Sequence, residues 1–215
     1  MKKDKTNIVL IGGGGHCKSC IEVIESTEQY TIVGILDLPS EKGKKVLGYE
    51  VIGDDSYYQK FNDLDYAFII TTGQIKSSQI RKRIFKELEE INATIETIIS
   101  PTSTVSKHAK IGKGTVILHH CIVNAGANIE ENCIINTAAI IEHDVKIGSH
   151  SHISTNAIVN GDAKVGRNSF IGSNSCISNG VKIANEIIVG AGSTVIHDLV
   201  EPGTYVGSPA KKNEK

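Results

Sequence analysis

The second half of the chain carries an uninterrupted six-residue repeat. An isoleucine or valine stands at every sixth position from Val105 to Val195, sixteen times without an insertion. A small residue usually follows four positions later, as at Ala109 and Ser193, and Gly, Asn, Asp or His often occupies the turn between. Chance does not produce sixteen such positions in register, so the repeat has to correspond to a repeated structural unit.

Each hexad predicts a short strand followed by a turn. The β-branched side chain suits an extended backbone and points inward, and the small residue also points inward, where a narrow interior has little room. Three hexads form one triangular coil, so residue n stacks on residue n+18 at the usual strand spacing of roughly 4.8 Å. The repeat therefore predicts a parallel β-helix of about five coils, a prism roughly 25 Å tall.

Residues 1–100 follow a different pattern, in which apolar strands alternate with helices. We predict strands at 7–11, 31–36 and 66–72, a helix that buries Ile21 and Ile24, and a second helix over 77–91 with Ile80, Ile84 and Leu88 aligned. This alternation predicts a parallel sheet in a Rossmann-like α/β domain. Pro101 marks the boundary, so the predicted domains are 1–100 and 101–215.

The first strand ends in four glycines, residues 12–15, followed by His16. Glycines between a strand and a helix let backbone N–H groups approach a phosphate at the positive end of the helix. Asp37 ends the second strand, where an acid can accept hydrogen bonds from a ribose or a base. Cys17 stands where a dinucleotide motif needs its third glycine, so a nucleotide-linked substrate is favoured over a dinucleotide. A tight turn without any ligand remains the alternative.

His143 is the histidine with the most suggestive surroundings. It lies at a predicted corner of the prism beside Asp144, with Ala125 one coil below and Gly161 one coil above. Small neighbours leave a cleft, and imidazole can accept a proton near neutral pH, which predicts a catalytic base. His152 lies half a coil away and could meet His143 only across a subunit interface.

Charge and cysteine content exclude several classes of protein. The formal net charge is -1 with no long run of one sign, which argues against nucleic acid or an anionic membrane as the main partner. No apolar stretch is long enough to span a membrane, and the short apolar run near the N-terminus fits a strand better than a secretory signal, so we expect a cytoplasmic protein. Cys17 and Cys20 form a C-x-x-C without a second pair, so no metal site is predicted.

The order of these parts resembles the sugar O- and N-acetyltransferases of the sialic-acid and bacillosamine type. The resemblance is carried by the glycine loop, by the segment Ile-Glu-His-Asp at 141–144, and by the tail Val-Gly-Ser-Pro-Ala-Lys at 206–211. It implies a left-handed β-helix and is closest to the N-acetyltransferases that act on UDP-linked 4-amino-4,6-dideoxy sugars in glycan or exopolysaccharide synthesis. Two departures are Leu38, where some relatives have a second acid, and Asp144, where Glu is common.

The resemblance also implies roles for individual residues, in a homotrimer that binds acetyl-CoA between adjacent prisms and needs no metal. His143 would be the catalytic base and Asp144 would tune it. Acetyl-CoA would contact His152, Ser173 and Ala191. The nucleotide sugar would be held by Gly14, Gly15, His16, Asp37 and Gly73.

Two other functions remain open on the sequence alone. One is O-acetylation of sialic acid or a related sugar, for which the same histidine could serve. The other is a β-helix binding protein without catalysis, against which the intact His143–Asp144 pair and the complete tail argue. The acceptor sugar, the pathway, any assembly beyond a trimer and the role of Cys17 and Cys20 are left undetermined.

Overall fold

The computed structural model describes residues 5–213. The predicted domain bounds 1–100 and 101–215 include residues 1–4 and 214–215, which lie outside the described residues. Within 5–213, none of the helices is both long and apolar enough to cross a membrane.

The N-terminal domain is a five-stranded sheet between helices. Its strands are β1 (Thr6–Ile11), β2 (Tyr30–Leu36), β3 (Lys45–Val46), β4 (Tyr49–Gly53) and β5 (Ala67–Ile70). Its α-helices are α1 (Gly15–Thr27), α2 (Tyr58–Asp63) and α3 (Gln79–Glu90), and 3-10 turns lie at Pro39–Glu41 and Asp55–Tyr57. The strand order is β3-β4-β2-β1-β5, with only β3 antiparallel to its neighbour. The predicted α/β domain is therefore confirmed, and β3, β4 and α2 are elements that we did not predict.

Both faces of this sheet are covered by apolar side chains. On one face α1 buries Cys17, Cys20 and Ile21, and on the other α3 buries Phe85 and Leu88. These two layers explain why β1 and β5 are continuous apolar runs rather than alternating ones.

One detail of the predicted α3 face is wrong. Ile80 was expected to align with Ile84 and Leu88, but its side chain is 60% exposed, whereas Arg81 next to it is buried. Arg81 occupies the inward position because its guanidinium donates to backbone carbonyls of Ile70 and Thr72 at 2.5 and 3.1 Å.

The rest of the described chain forms the predicted parallel β-helix. Its strands, mostly of two residues, are β6 (Ile98–Ile99), β7 (Thr104–Val105), β8 (Lys110–Ile111), β9 (Val116–Ile117), β10 (Ile122–Val123), β11 (Asn128–Ile129), β12 (Ile134–Ile135), β13 (Ile140–Ile141), β14 (Lys146–Ile147), β15 (His152–Ile153), β16 (Ile158–Val159), β17 (Lys164–Val165), β18 (Phe170–Ile171), β19 (Cys176–Ile177), β20 (Lys182–Ile183), β21 (Ile187–Val189), β22 (Thr194–Val195), β23 (Gly203–Gly207) and β24 (Ala210–Lys212).

Three parallel sheets make the sides of the prism. Face A contains β6, β9, β12, β15, β18 and β21, continued by β23 and β24; face B contains β7, β10, β13, β16, β19 and β22; face C contains β8, β11, β14, β17 and β20. Residues pair with a spacing of eighteen, as in Ile122 with Ile140 and Ile140 with Ile158, which confirms the predicted stacking. The repeated Ile and Val side chains form one continuous core.

The turn position of each hexad has a left-handed backbone. Positive φ recurs every six residues from Gly114 to Gly192, and includes His120 and Asp144. Gly, Asn and Asp tolerate this conformation better than other residues, which accounts for their frequency in the turns.

Face A carries the N-terminal domain. Ile98, Val116 and Leu118 belong to the same apolar cluster as Cys17 and Cys20 of α1. The strand β6, Ile98–Ile99, pairs with β9, so the first coil of the prism begins just before the predicted boundary at 100/101.

Candidate active site

His143 lies on the corner between faces B and C, just after β13. Its side chain is 62% exposed, and its Nδ1 is 3.0 Å from Oδ2 of Asp144, which occupies the left-handed turn position. A carboxylate only accepts hydrogen bonds, so Nδ1 is the donor and the neutral ring keeps its lone pair on Nε2. The open nitrogen can therefore accept a proton from a molecule bound at this corner.

The surroundings of the ring favour its protonated form. The hydrogen bond from His143 to Asp144 raises the pKa of the imidazole above its ordinary value, and the charges of Asp144, Glu142 and Asp162 add to this effect. The position of Glu142 is itself fixed, because its carboxylate accepts from Asn124 Nδ2 at 2.9 Å one coil below. This corner thus stabilises the imidazolium that forms when the base has taken its proton.

Two glycines give the pair its room. A Cβ at Gly161, one coil above, would lie 2.7 Å from both Cε1 and Nε2 of His143. A Cβ at Gly126, one coil below Asp144, would collide with the Asp144 carboxylate. Gly161 was predicted from the sequence and Gly126 was not, although Gly126 lies eighteen residues before Asp144.

A second candidate site is a cavity of about 480 Å³ at the carboxyl ends of β1 and β5. It is lined by Gly12, Gly14, Gly15, His16, Asp37, Thr72, Gly73, Gln74 and Ile75. All five residues that we expected to hold the nucleotide sugar therefore line one cavity, while their role remains a prediction. Thr72, Gln74 and Ile75 were missed, because their only signal is that they lie at or just after the end of the third predicted strand, 66–72.

The glycine turn leaves the start of α1 open to this cavity. Gly14 is the N-cap without a side-chain hydrogen bond, and a Cβ at Gly14 or Gly15 would meet nothing within 4 Å. Gly12 has φ +101°, and a Cβ there would lie 2.9 Å from the backbone nitrogen of Thr72. Unpaired N–H groups at a helix start attract anions, so the turn is suited to phosphate.

The carboxylate of Asp37 is held in a fixed position. Its Oδ2 accepts from the backbone N–H of Gly13 at 2.6 Å, and its Oδ1 accepts from that of Leu38 at 2.7 Å. These bonds bring the end of β2 against the glycine turn, so Asp37 shapes the turn and also borders the cavity.

His16 and the two cysteines of α1 are uncharged. Burial, with the charge of Arg81, lowers the pKa of His16 to about 3. Burial raises the pKa of the Cys17 thiol to about 11 and that of Cys20 to about 12. His16 Nε2 is 3.5 Å from Cys20 Sγ. Both thiols are therefore neutral at physiological pH, and both side chains pack in the apolar cluster beneath the sheet.

The three residues expected to contact acetyl-CoA lie elsewhere on the prism. Ser173 and Ala191 stack one coil apart on the corner between faces A and B, and Ser173 Oγ is 3.0 Å from Ser154 Oγ. His152 is buried on face A with both ring nitrogens bonded within the chain. A single chain therefore does not bring His143 together with these residues or with the glycine-loop cavity, and their contacts with the coenzyme remain a prediction.

Comparisons with known proteins agree with both halves of the chain. The family model described as the PglD N-terminal domain matches residues 7–88. A UDP-N-acetylbacillosamine N-acetyltransferase of Bacillus subtilis (strain 168) is 32% identical over 116 residues, which are 52% of this chain and 51% of that protein. The aligned segment thus spans about half the length of this curated relative.

Solved structures match over nearly the whole chain. The acetyltransferase domain of PglB from Neisseria gonorrhoeae FA1090 has a TM-score of 0.89 and 27% identity, covering 97% of this chain and 100% of that one. PerB from Caulobacter crescentus, in complex with CoA and GDP-perosamine, has a TM-score of 0.89 and 29% identity, covering 96% and 97%. Together with the hexad repeat and the glycine turn, these matches agree with the resemblance to the bacillosamine-type sugar acetyltransferases; the family model matches residues 7–88, and the curated relative aligns with about half of the chain.

Proposed function

We propose that this protein transfers the acetyl group of acetyl-CoA to the 4-amino group of a UDP-linked amino-dideoxy sugar, in cytoplasmic synthesis of a glycan or exopolysaccharide. The observation that carries the proposal is the exposed His143–Asp144 pair, with Nε2 free, in the same chain as an open glycine-turn cavity. The Bacillus subtilis relative is named for N-acetylation of such a sugar, and the PerB structure contains CoA and a nucleotide-linked sugar.

In this reaction His143 removes a proton that blocks the chemistry. An ammonium has no lone pair, so the sugar amine has to lose a proton before it can attack the thioester carbonyl. His143 Nε2 accepts that proton while Asp144 stabilises the imidazolium. The new C–N bond forms, and backbone N–H groups stabilise the oxyanion. As the C–S bond breaks, His143 passes its proton to the CoA sulfur, and the second proton that the nitrogen loses goes to solvent. Within residues 5–213 no serine or cysteine is hydrogen-bonded to His143, so transfer is direct.

The cavity at the glycine turn would hold the nucleotide part of the acceptor. The start of α1, at Gly14 and Gly15, offers backbone N–H groups to the diphosphate. His16, Asp37 and Gly73 line the same cavity and would contact the rest of the nucleotide sugar.

We propose that the protein is a homotrimer, because within one chain His143 lies apart from the residues that are expected to contact acetyl-CoA. Face B, which ends at the His143 corner, presents Ile122, Ile140, Ile158 and Cys176 on its outer surface, and Ile122 is 38% exposed. A column of apolar side chains on a prism face is stabilised when another copy covers it. Such packing would place His143 of one copy in a cleft with Ser173 and Ala191 of the next, which are expected to contact acetyl-CoA.

The test compares wild type with His143→Ala, using acetyl-CoA consumption with a UDP-4-amino sugar and with sialic acid as acceptors. We expect turnover only with the amino sugar, and a loss of about 10²–10⁴-fold in His143→Ala. His120 is an exposed histidine at a turn between faces A and B, near the first coil; His120→Ala is the matched control and should keep wild-type turnover.

Three results would contradict the proposal. Acetylation of sialic acid alone would favour the O-acetyltransferase alternative. Absence of CoA binding in calorimetry would favour a β-helix that only binds a partner. Near-wild-type turnover of His143→Ala would exclude this residue as the base.

A further inference from the structure

The wall of the glycine-turn cavity formed by residues 72–75 is fastened to the β-helix. Its central residue, Gln74, is 4% exposed. The backbone oxygen of Gln74 accepts from Nδ1 of His152 at 2.6 Å, and its side-chain Nε2 donates to the backbone oxygen of His150 at 2.7 Å. Both bonds connect the N-terminal domain to the segment that leads into β15.

Both ring nitrogens of His152 are hydrogen-bonded within the chain. Because the Gln74 oxygen only accepts, Nδ1 carries the proton, and Nε2 accepts from Asn136 Nδ2 at 3.1 Å. The ring packs edge-on against Phe170 with centroids 5.1 Å apart and is 6% exposed. Burial lowers the pKa of His152 to about 4, so the ring is neutral at physiological pH.

The same wall is also held at its other end. Arg81 donates from Nη1 to the backbone oxygen of Thr72 at 3.1 Å. Gly73 lies between these two anchors, where a Cβ would be 3.2 Å from Cβ of His16, another residue that lines the cavity. A displaced Gln74 carbonyl would therefore move Gly73 relative to His16 and change the shape of the cavity.

We propose that His152 is a positioning residue for the acceptor pocket, which holds residues 72–75 in place through Gln74 and so controls nucleotide binding. This inference rests on the proposed function, since it assigns the cavity to the nucleotide sugar. It differs from the role that the family resemblance implies, in which His152 contacts acetyl-CoA.

Two substitutions of His152 distinguish the role of Nδ1 from that of Nε2. The amide nitrogen of Asn lies two bonds from Cβ, as Nδ1 does, so His152→Asn keeps a donor for Gln74. The amide nitrogen of Gln lies three bonds from Cβ, as Nε2 does, so His152→Gln loses that donor. Both variants lose the ring contact with Phe170, which makes each the control for the other.

The measurements are calorimetric dissociation constants for UDP, GDP and coenzyme A, and hydrogen exchange of residues 71–76 without ligand. For whichever nucleotide wild type binds, we expect His152→Gln to bind about tenfold more weakly and His152→Asn to stay within about twofold. Coenzyme A affinity should stay unchanged in both, and the 71–76 amides should exchange faster only in His152→Gln.

The outcomes distinguish this inference from the proposed function. If wild type binds neither UDP nor GDP, the nucleotide role of the cavity is wrong, and the exchange data alone then decide whether His152 holds the wall. Equal exchange and equal nucleotide affinity in the two variants would overturn the inference, as would a loss of affinity for coenzyme A only.

Discussion

Gly161→Ala tests whether the position of His143, and not only its presence, is needed for activity. The new Cβ would lie 2.7 Å from Cε1 and Nε2 of the imidazole and 3.3 Å from Nδ2 of Asn179. Gly161 has no positive φ, so the backbone accepts alanine without strain. The substitution therefore acts on the His143 side chain, one coil below it.

The size of the effect follows from these distances. The ring has to retreat by roughly 0.7 Å to reach an ordinary contact of 3.4 Å. Because the His143 side chain is 62% exposed, it can swing into solvent, and the free energy of unfolding should change by less than about 0.5 kcal/mol. Catalysis is less tolerant, since a misplacement of about 1 Å can cost about 10²-fold in rate. We therefore expect a large loss of kcat with little loss of stability.

The assay is kcat at saturating acetyl-CoA and acceptor for four proteins: wild type, Gly161→Ala, His143→Ala and the double variant. If the methyl group acts through the ring, it should cost nothing further once the ring is absent, so the double variant should equal His143→Ala. Thermal denaturation should give similar Tm values for wild type and Gly161→Ala. Unchanged kcat in Gly161→Ala, or additive losses in the double variant, would refute the reasoning.

Two further predictions concern the charge of His143 and the apolar face beside it. Asp144 raises the pKa of His143, and the base works only when unprotonated, so the acidic limb of the kcat/KM profile should lie above the ordinary histidine value; in Asp144→Asn this limb should move to lower pH. If the acidic limb does not move in Asp144→Asn, Asp144 does not set the pKa of the catalytic base. Ile158→Asp places a charge in the apolar column of face B and should convert a trimer to monomers in analytical ultracentrifugation, whereas Lys164→Asp on face C should leave the trimer intact. An unchanged mass for Ile158→Asp would place the interface on another surface.

The β-helix could be predicted almost completely, because every hexad repeats the same local cause. Once Val105 and Val195 belong to one register, the buried positions and the stacking at n+18 follow without further information. The stacking then located Gly161 above His143, a contact 18 residues apart in the chain. In a regular repeat, the residues that contact each other across coils follow from their spacing in the sequence. This is why the contact between Gly161 and His143 could be predicted.

The parts that escaped prediction depend on contacts without such a period. Arg81 is buried because backbone carbonyls from β5 and from the first coil, at Gly114, happen to converge on it. Helical spacing alone cannot reveal this, and it placed the exposed Ile80 on the buried face instead. His152 could be assigned a place on the prism, but its burial depends on Gln74, which is 78 residues away in the chain.

The three faces differ in the side chains that point away from the prism. On each face, these side chains recur at every eighteenth residue. On face A the outward side chain is apolar or aromatic in most coils, as at Ile98, Val116 and Ile134, and the N-terminal domain covers the lower part of this face. On face C the position is mostly lysine, from Lys110 to Lys182, which suits contact with water. Face B is apolar like face A, yet within residues 5–213 no other part of the chain covers it, and Ile122 remains exposed. Because the N-terminal domain covers the lower part of face A from within the chain, face B is the apolar face left for a second copy to cover, and it adjoins the corner that carries His143.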